Sequence, residues 1–197
     1  MPESLRLFIA IELPAPVMEA IENVQQRLRS MDSDHVIRWS ASSGFHITLK
    51  FLGNTPIAAL PEIQAHLPAT LTDIRPFTLT IAGLGAFPTL RDPRIVWAGV
   101  GGELQPLYAL RDTVEREIAP LGYPTEARPF SPHLTLGRLR KDAARISIAK
   151  FGQDLGALGI AEVANWKVAT VSLMLSTLKP TGAVYTQVAL YKMDSNA

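Results

Sequence analysis

One tetrad occurs twice in this chain, as His46-Ile47-Thr48-Leu49 and as His133-Leu134-Thr135-Leu136, and it holds two of the four histidines. With this chain's threonine and leucine content, about 0.04 copies of His-x-Thr-Leu are expected by chance, so a pair is an accident on the order of one in a thousand by template counting. Histidine moves protons near neutral pH. A threonine hydroxyl donates a hydrogen bond to an anionic oxygen. Two such sets, brought face to face, would flank one phosphate from both sides.

The spacing suits a strand. Residues i and i+2 of a strand share a face, so His46 and Thr48 point one way while Ile47 and Leu49 point into a core. His133 and Thr135 stand against Leu134 and Leu136 in the same manner. The arrangement fits in-line displacement at phosphorus. One imidazole takes a proton from the attacking water and the other gives one to the leaving oxygen. The threonine hydroxyls hold the non-bridging oxygens. A single His-x-Thr on a strand is ordinarily just strand, because threonine favours strands. Two identical tetrads at matching places read as functional instead; the competing reading is that a duplication copied a structural strand twice. Two histidines without neighbouring carboxylates or cysteines make a poor metal site, so neither a metal nor any other cofactor is expected.

The elements that must carry these residues follow from hydrophobic patterning. Leu5–Ile11 reads as a buried strand. Pro14 and Pro16 open a helix whose apolar stripe is Val17, Ile21, Val24 and Leu28. Short strands are expected over Val36–Trp39, Phe45–Leu52 and Phe77–Leu84, with a short helix over Pro56–Leu67. The second half repeats this order: a strand over Arg94–Val100, a helix over Glu103–Ile118, a strand over His133–Leu139, and a weaker helix between Asp142 and Leu158 interrupted by Gly152 and Gly156. Strands over Trp166–Leu175 and Ala183–Tyr191 close the chain, joined by a turn at Lys179-Pro180-Thr181-Gly182. The expected fold is α+β and bilobal. Two lobes related by a pseudo-two-fold axis each carry an antiparallel sheet with flanking helices, the active cleft lies between the sheets, and residues 1–197 form one domain that arose by internal duplication.

Composition sets the outer limits. With 197 residues, 47% of them apolar, the chain buries a sizeable core. A net charge of +1 offers no polybasic field for duplex nucleic acid. It leaves room for a small anion or a nucleic-acid end. No cysteine is present, which excludes thiol catalysis and thiolate metal sites. The first residues lack a basic segment followed by a long apolar one, and no run reaches 18 apolar residues. The expectation is a cytoplasmic protein without a membrane partner. No heptad seam stands out, so a monomer is expected.

The sequence resembles the 2H phosphoesterase superfamily, and within it the bacterial RNA 2′,3′-cyclic phosphodiesterases, also called 2′-5′ RNA ligases. The resemblance spans nearly the whole chain: Arg6-Leu7-Phe8-Ile9-Ala10-Ile11, then Phe45 through Gly53, then Arg94 through Val100, then Ser131 through Arg138. It implies a metal-independent opening of 2′,3′-cyclic phosphate ends of RNA or nucleotides to 2′-phosphomonoesters, with reversible 2′-5′ joining of RNA ends in some members. It implies catalytic roles for His46 and His133 and phosphate-binding roles for Thr48 and Thr135. Phe51 matches a base-stacking aromatic of the family, and Arg138 a phosphate- or base-contacting arginine.

Phe51 and Arg138 each follow their histidine by an odd offset. On a regular strand both would face away from the cleft, so their roles require a bulge or a strand end before them. For Phe51, core packing and base contact both stay open. For Arg138, the planar bidentate fork favours phosphate, against a solvated charge near Arg140, Lys141 and Arg145. Arg38, Trp39 and Lys50 are weaker candidates for the cleft lining. His35 and His66 read as surface residues, and Asp32 and Asp34 as loop. No phosphate-binding Gly-x-x-x-x-Gly-Lys loop is present. Two alternatives stand beside the RNA-end reading. One is a phosphodiesterase of another small substrate, such as an ADP-ribose cyclic phosphate or 2′-5′ oligoadenylate. The other is a non-catalytic nucleotide-binding module.

Overall fold

The computed structural model describes residues 3–179 and 182–193. The chain order is β1 (Ser4–Glu12), α1 (Ala15–Met31), β2 (Ile37–Trp39), β3 (His46–Pro56), α2 (Leu60–His66), β4 (Phe77–Pro88), β5 (Pro93–Gly102), α3 (Leu104–Ile118), β6 (His133–Leu139), α4 (Arg145–Ala157), β7 (Glu162–Val168), β8 (Thr170–Lys179) and β9 (Gly182–Lys192). Short 3-10 segments flank α2 at Ile57–Ala59 and Leu67–Leu71. The expected turn at Pro180-Thr181 lies outside the described residues.

Two antiparallel sheets carry the strands. The first has the order β3-β1-β8-β9 and the second β2-β6-β5-β4-β7. The expected α+β, two-sheet architecture is what the chain forms. The lobes are not contiguous halves of the chain, however. The first sheet joins β1 and β3 to β8 from the C-terminal half, and the second joins β5 and β6 to β4 from the N-terminal half. The helices cross over as well: α1 packs on β7 and α3 on β3.

Several elements differ in extent from the patterning. The apolar run Trp166–Leu175 is not one strand. It breaks at Ala169, leaving β7 on the second sheet and β8 on the first. An apolar run cannot show that its two ends belong to different sheets. The Pro56–Leu67 helix shortens to α2 between 3-10 turns. α4 runs unbroken through both of its glycines. Gly152 serves approach rather than interruption: a Cβ there would sit 1.9 Å from the Leu90 carbonyl oxygen, so only glycine lets this helix lie against the β4–β5 connection.

Burial explains why these segments hold. Leu7, Ile9 and Ile11 of β1 face the core with Ile47, Leu49, Leu134 and Leu136, all buried. Each such aliphatic side chain contributes about 1.5–3 kcal/mol. The α1 stripe Val17, Ile21, Val24 and Leu28 and the α3 stripe Leu107, Leu110, Val114 and Ile118 close over the sheets. Buried residues of both sheets belong to one contiguous core. On the opposite face of β1, Phe8 and Ala10 form a separate small cluster with Met174 and Tyr185. No described helix is long and apolar enough to cross a membrane.

Candidate active site

β3 is the edge strand of its sheet. The 133–135 part of β6 is free of β2, which pairs only with residues 137–139. The two tetrad segments therefore lie at sheet edges, and β3 and β6 run close to one another where the sheets meet. His46, Thr48, His133 and Thr135 are all half-buried, while the aliphatic residue after each is buried. The i, i+2 reading of both tetrads is met.

A bulge in each strand decides the odd-offset residues. On β3, Thr48 lies opposite Ala10 and Lys50 opposite Ile9, so Leu49 has no partner on β1. On β6, Thr135 lies opposite Trp97 and Gly137 opposite Val96, so Leu136 has none on β5. Each extra residue inverts the alternation that follows it. Leu49 and Lys50 are consecutively buried, as are Leu136 and Gly137, and the next residues, Phe51 and Arg138, emerge on the histidine face. Phe51 is 67% exposed, and its ring lies 6.1 Å from that of Phe8, which in turn lies 4.7 Å from the His46 imidazole. The same bulge removes Lys50 from the candidate cleft residues. Its ammonium is buried on the core side, paired with Glu115 of α3 and donating to the Pro124 carbonyl at 2.9 Å.

The two imidazoles are held alike. His46 Nδ1 is 2.7 Å from the carbonyl oxygen of Gly44, and His133 Nδ1 is 2.7 Å from that of Ser131. A carbonyl only accepts, so each Nδ1 carries the proton and each Nε2 is left for chemistry. Aromatic rings fix their planes: Phe8 and Tyr185 against His46, and Phe87 edge-on at 4.9 Å against His133.

Their electrostatic surroundings differ. Burial holds the His46 pKa below the ordinary histidine value, the Gly44 carbonyl and the Glu12 carboxylate pull it back upward, and His133 pushes it down. Burial also lowers His133; the Ser131 carbonyl opposes this, and the Arg138 guanidinium lowers it further. Glu12 lies directly opposite His46 across β1 and β3. Its carboxylate accepts hydrogen bonds from Ser172 of β8 and Gln187 of β9.

Other supports were not singled out from the sequence. Gln25 of α1 is buried and donates from Nε2 to the carbonyls of Leu136 (2.8 Å) and Ser40 (2.9 Å). The Ser40 amide donates to the same Leu136 carbonyl, which saturates the backbone at the β6 bulge. Asp32 is buried rather than solvated loop. Its carboxylate accepts from the Val36 and Ile37 amides and from the Trp39 indole, and so anchors β2. Trp39 is half-buried against Phe151, on the face of β2 opposite to exposed Arg38. His35 is exposed, and His66 bonds back to Glu62 of its own helix. A polar Gln25 within an apolar helix stripe was the one available signal for these supports; Glu12 at a strand end reads as ordinary surface.

Comparison with known proteins agrees with the geometry. Residues 14–176 match the model of the 2'-5' RNA ligase superfamily. An RNA 2′,3′-cyclic phosphodiesterase of Methanothermobacter thermautotrophicus is 31% identical over 96% of this chain and 99% of its own length. One from Aeropyrum pernix is 36% identical over 72% of this chain and 77% of its own. Among solved structures, TT0787 of Thermus thermophilus superposes with a TM-score of 0.76 at 28% identity, covering 98% of this chain and 100% of that one. E. coli LigT in complex with NADP+ gives 0.76 at 25% identity, covering 98% of this chain and 99% of that one. With the paired tetrads on adjoining sheet edges, these matches establish that the chain belongs to the 2'-5' RNA ligase superfamily.

Proposed function

We propose that this protein hydrolyses the 2′,3′-cyclic phosphate at the end of an RNA or nucleotide to a 2′-phosphomonoester, using His46 and His133 as its acid/base pair. The observation that carries the reading is the pair of imidazoles, each locked at Nδ1 by a backbone carbonyl, beside one carboxylate and one guanidinium respectively. His133, beside the Arg138 cation, is the neutral partner. Its Nε2 takes a proton from water as the water oxygen bonds to phosphorus. His46, beside the Glu12 carboxylate, is the protonated partner. Its Nε2–H passes to the 3′ oxygen as the phosphorus–O3′ bond breaks. Thr48 and Thr135 donate to the non-bridging oxygens, where charge builds in the transition state. Arg138 adds a cation beside His133, and Phe51 offers an exposed ring for a base. Run in the same direction with an RNA 5′-hydroxyl in place of water, the same steps join ends through a 2′-5′ linkage, and run backwards they cleave that linkage to the cyclic phosphate. The names borne by the relatives support this substrate class.

The test is to incubate EDTA-treated protein with an RNA oligomer ending in 2′,3′-cyclic phosphate and to identify the product isomer by chromatography. The expected product is the 2′-phosphate, formed without added metal. His46→Ala and His133→Ala should each slow turnover by about 10²–10⁴-fold. Retained turnover in both variants, or a requirement for metal, defeats the reading.

A further inference from the structure

Arg38 is the one exposed side chain of the three-residue strand β2. It lies directly opposite Arg138 on β6. Residues opposed in this way have Cβ atoms about 4.5–5.5 Å apart, and like charges so placed destabilise the sheet. Among the described residues, neither guanidinium is paired with a carboxylate. The pairing is nonetheless firmly built. Asp32 binds the amides on both sides of the strand's start, and the Arg140 amide closes onto the Val36 carbonyl at 2.8 Å. Gly137 lets β2 lie flush on β6, since a Cβ there would meet the Ile37 side chain at 2.5 Å. Two cations fixed side by side, on the face that carries His133 and Thr135, suit an anion that accepts from both forks. Because Leu136 is bulged, Arg138 stands only two partner residues beyond Thr135, opposite Ile95 and Trp97 respectively, about 7 Å along β6. The couple thus lies beyond the phosphate held by the tetrads.

We propose that Arg38 and Arg138 together form a second anion site, which takes the phosphate carried on the 5′ oxygen of the nucleotide whose cyclic phosphate lies between the histidines. The proposal rests on the phosphodiesterase reading and extends it: the enzyme recognises its terminal nucleotide by two phosphates, one reacting and one held. In RNA the held phosphate is the last internucleotide diester; in a mononucleotide it is a 5′-monoester.

The experiment compares kcat/KM on adenosine 2′,3′-cyclic phosphate, its 5′-phosphorylated form, and a dinucleotide ending in 2′,3′-cyclic phosphate. The reading is the ratio between substrates within each protein, for the wild type, Arg38→Ala and Arg38→Lys. In the wild type the second phosphate should raise kcat/KM about tenfold or more, the worth of one charge-assisted contact. The gain should shrink as salt rises. Arg38→Ala should bring the ratio close to one, and Arg38→Lys should keep part of it. A gain on both phosphorylated substrates marks phosphate itself as the recognised group. A gain on the dinucleotide alone, lost in Arg38→Ala, marks the internucleotide diester. A wild-type ratio near one, or a ratio that Arg38→Ala leaves unchanged, overturns the site. If no substrate turns over, the phosphodiesterase reading fails instead. Calorimetry with adenosine 2′,5′-bisphosphate against adenosine 2′-monophosphate then decides the site: tighter binding of the bisphosphate that Arg38→Ala removes supports it, and equal binding overturns it.

Discussion

Two histidines can divide acid and base work only if one is charged while the other is not. Burial is the largest influence on both, and the proposed division rests on their differing neighbours, the Glu12 carboxylate that raises His46 and the Arg138 guanidinium that lowers His133. In the free enzyme, kcat/KM should rise with pH as His133 loses its proton and fall as His46 loses its own. Burial holds both below the ordinary histidine value of about 6.5. The bell should therefore be centred on the acid side of that value. The limbs of kcat should lie higher, because a bound phosphate favours the imidazolium. Glu12→Gln keeps a side chain of similar shape for Ser172 and removes the charge. It should move the falling limb to lower pH and leave the rising limb in place. Profiles of kcat/KM for both proteins from about pH 4.5 to 9 decide this. A falling limb that does not move removes Glu12 from the account. A flat wild-type profile, with chemistry shown to be rate-limiting, removes the pair.

At the scale of elements, two bulges do what the tetrads alone cannot. Leu49 and Leu136 turn Phe51 and Arg138 toward the histidines, and the first also turns Lys50 inward to Glu115. The tetrads, their strand faces and their aliphatic backing were legible, because they depend on a period of two that the sequence displays. The bulges were not: an extra residue is set by the partner strand's register and by distant groups such as Gln25, which satisfies the Leu136 carbonyl from α1. The odd offset of Phe51 and Arg138 was itself the clue that such a break was needed. The inward Lys50 ties β3 to α3 and, through Pro124, to the chain leading into β6. Lys50→Met leaves Glu115 buried with only Arg111 and the Glu126 amide for company. It should cost about 3–5 kcal/mol. Lys50→Met combined with Glu115→Leu should cost less than the sum of the single changes, since the buried carboxylate is then removed together with its lysine. Urea unfolding of the three variants measures this. A single-variant loss below about 1 kcal/mol would show the pair to be dispensable.

For the molecule as a whole, the exchange of strands matters more than the likeness of the lobes. The order β3-β1-β8 recurs as β6-β5-β4 with the halves of the chain interchanged, which the proposed duplication accounts for. Hydrophobic periodicity displayed the repeated order of elements but not the exchange, because a strand's pattern states which face is buried and not which sheet receives it. The consequence is mechanical. Neither sheet can be completed by one half of the chain, α1 and α3 cover sheets that also hold strands of the opposite half, and one core runs through both. We propose that this shared core holds the two histidines in a fixed relation, as one domain. The chain should unfold as one cooperative unit. The tryptophans allow a direct check, since Trp39, Trp97 and Trp166 all belong to the second sheet, on β2, β5 and β7. Their fluorescence reports that sheet, while far-ultraviolet circular dichroism reports both. Superimposable urea transitions from the two probes are the expected result. A fluorescence transition displaced from the dichroism transition would mean that the sheets melt separately, and that the geometry between the histidines is set by an interface rather than by a shared core.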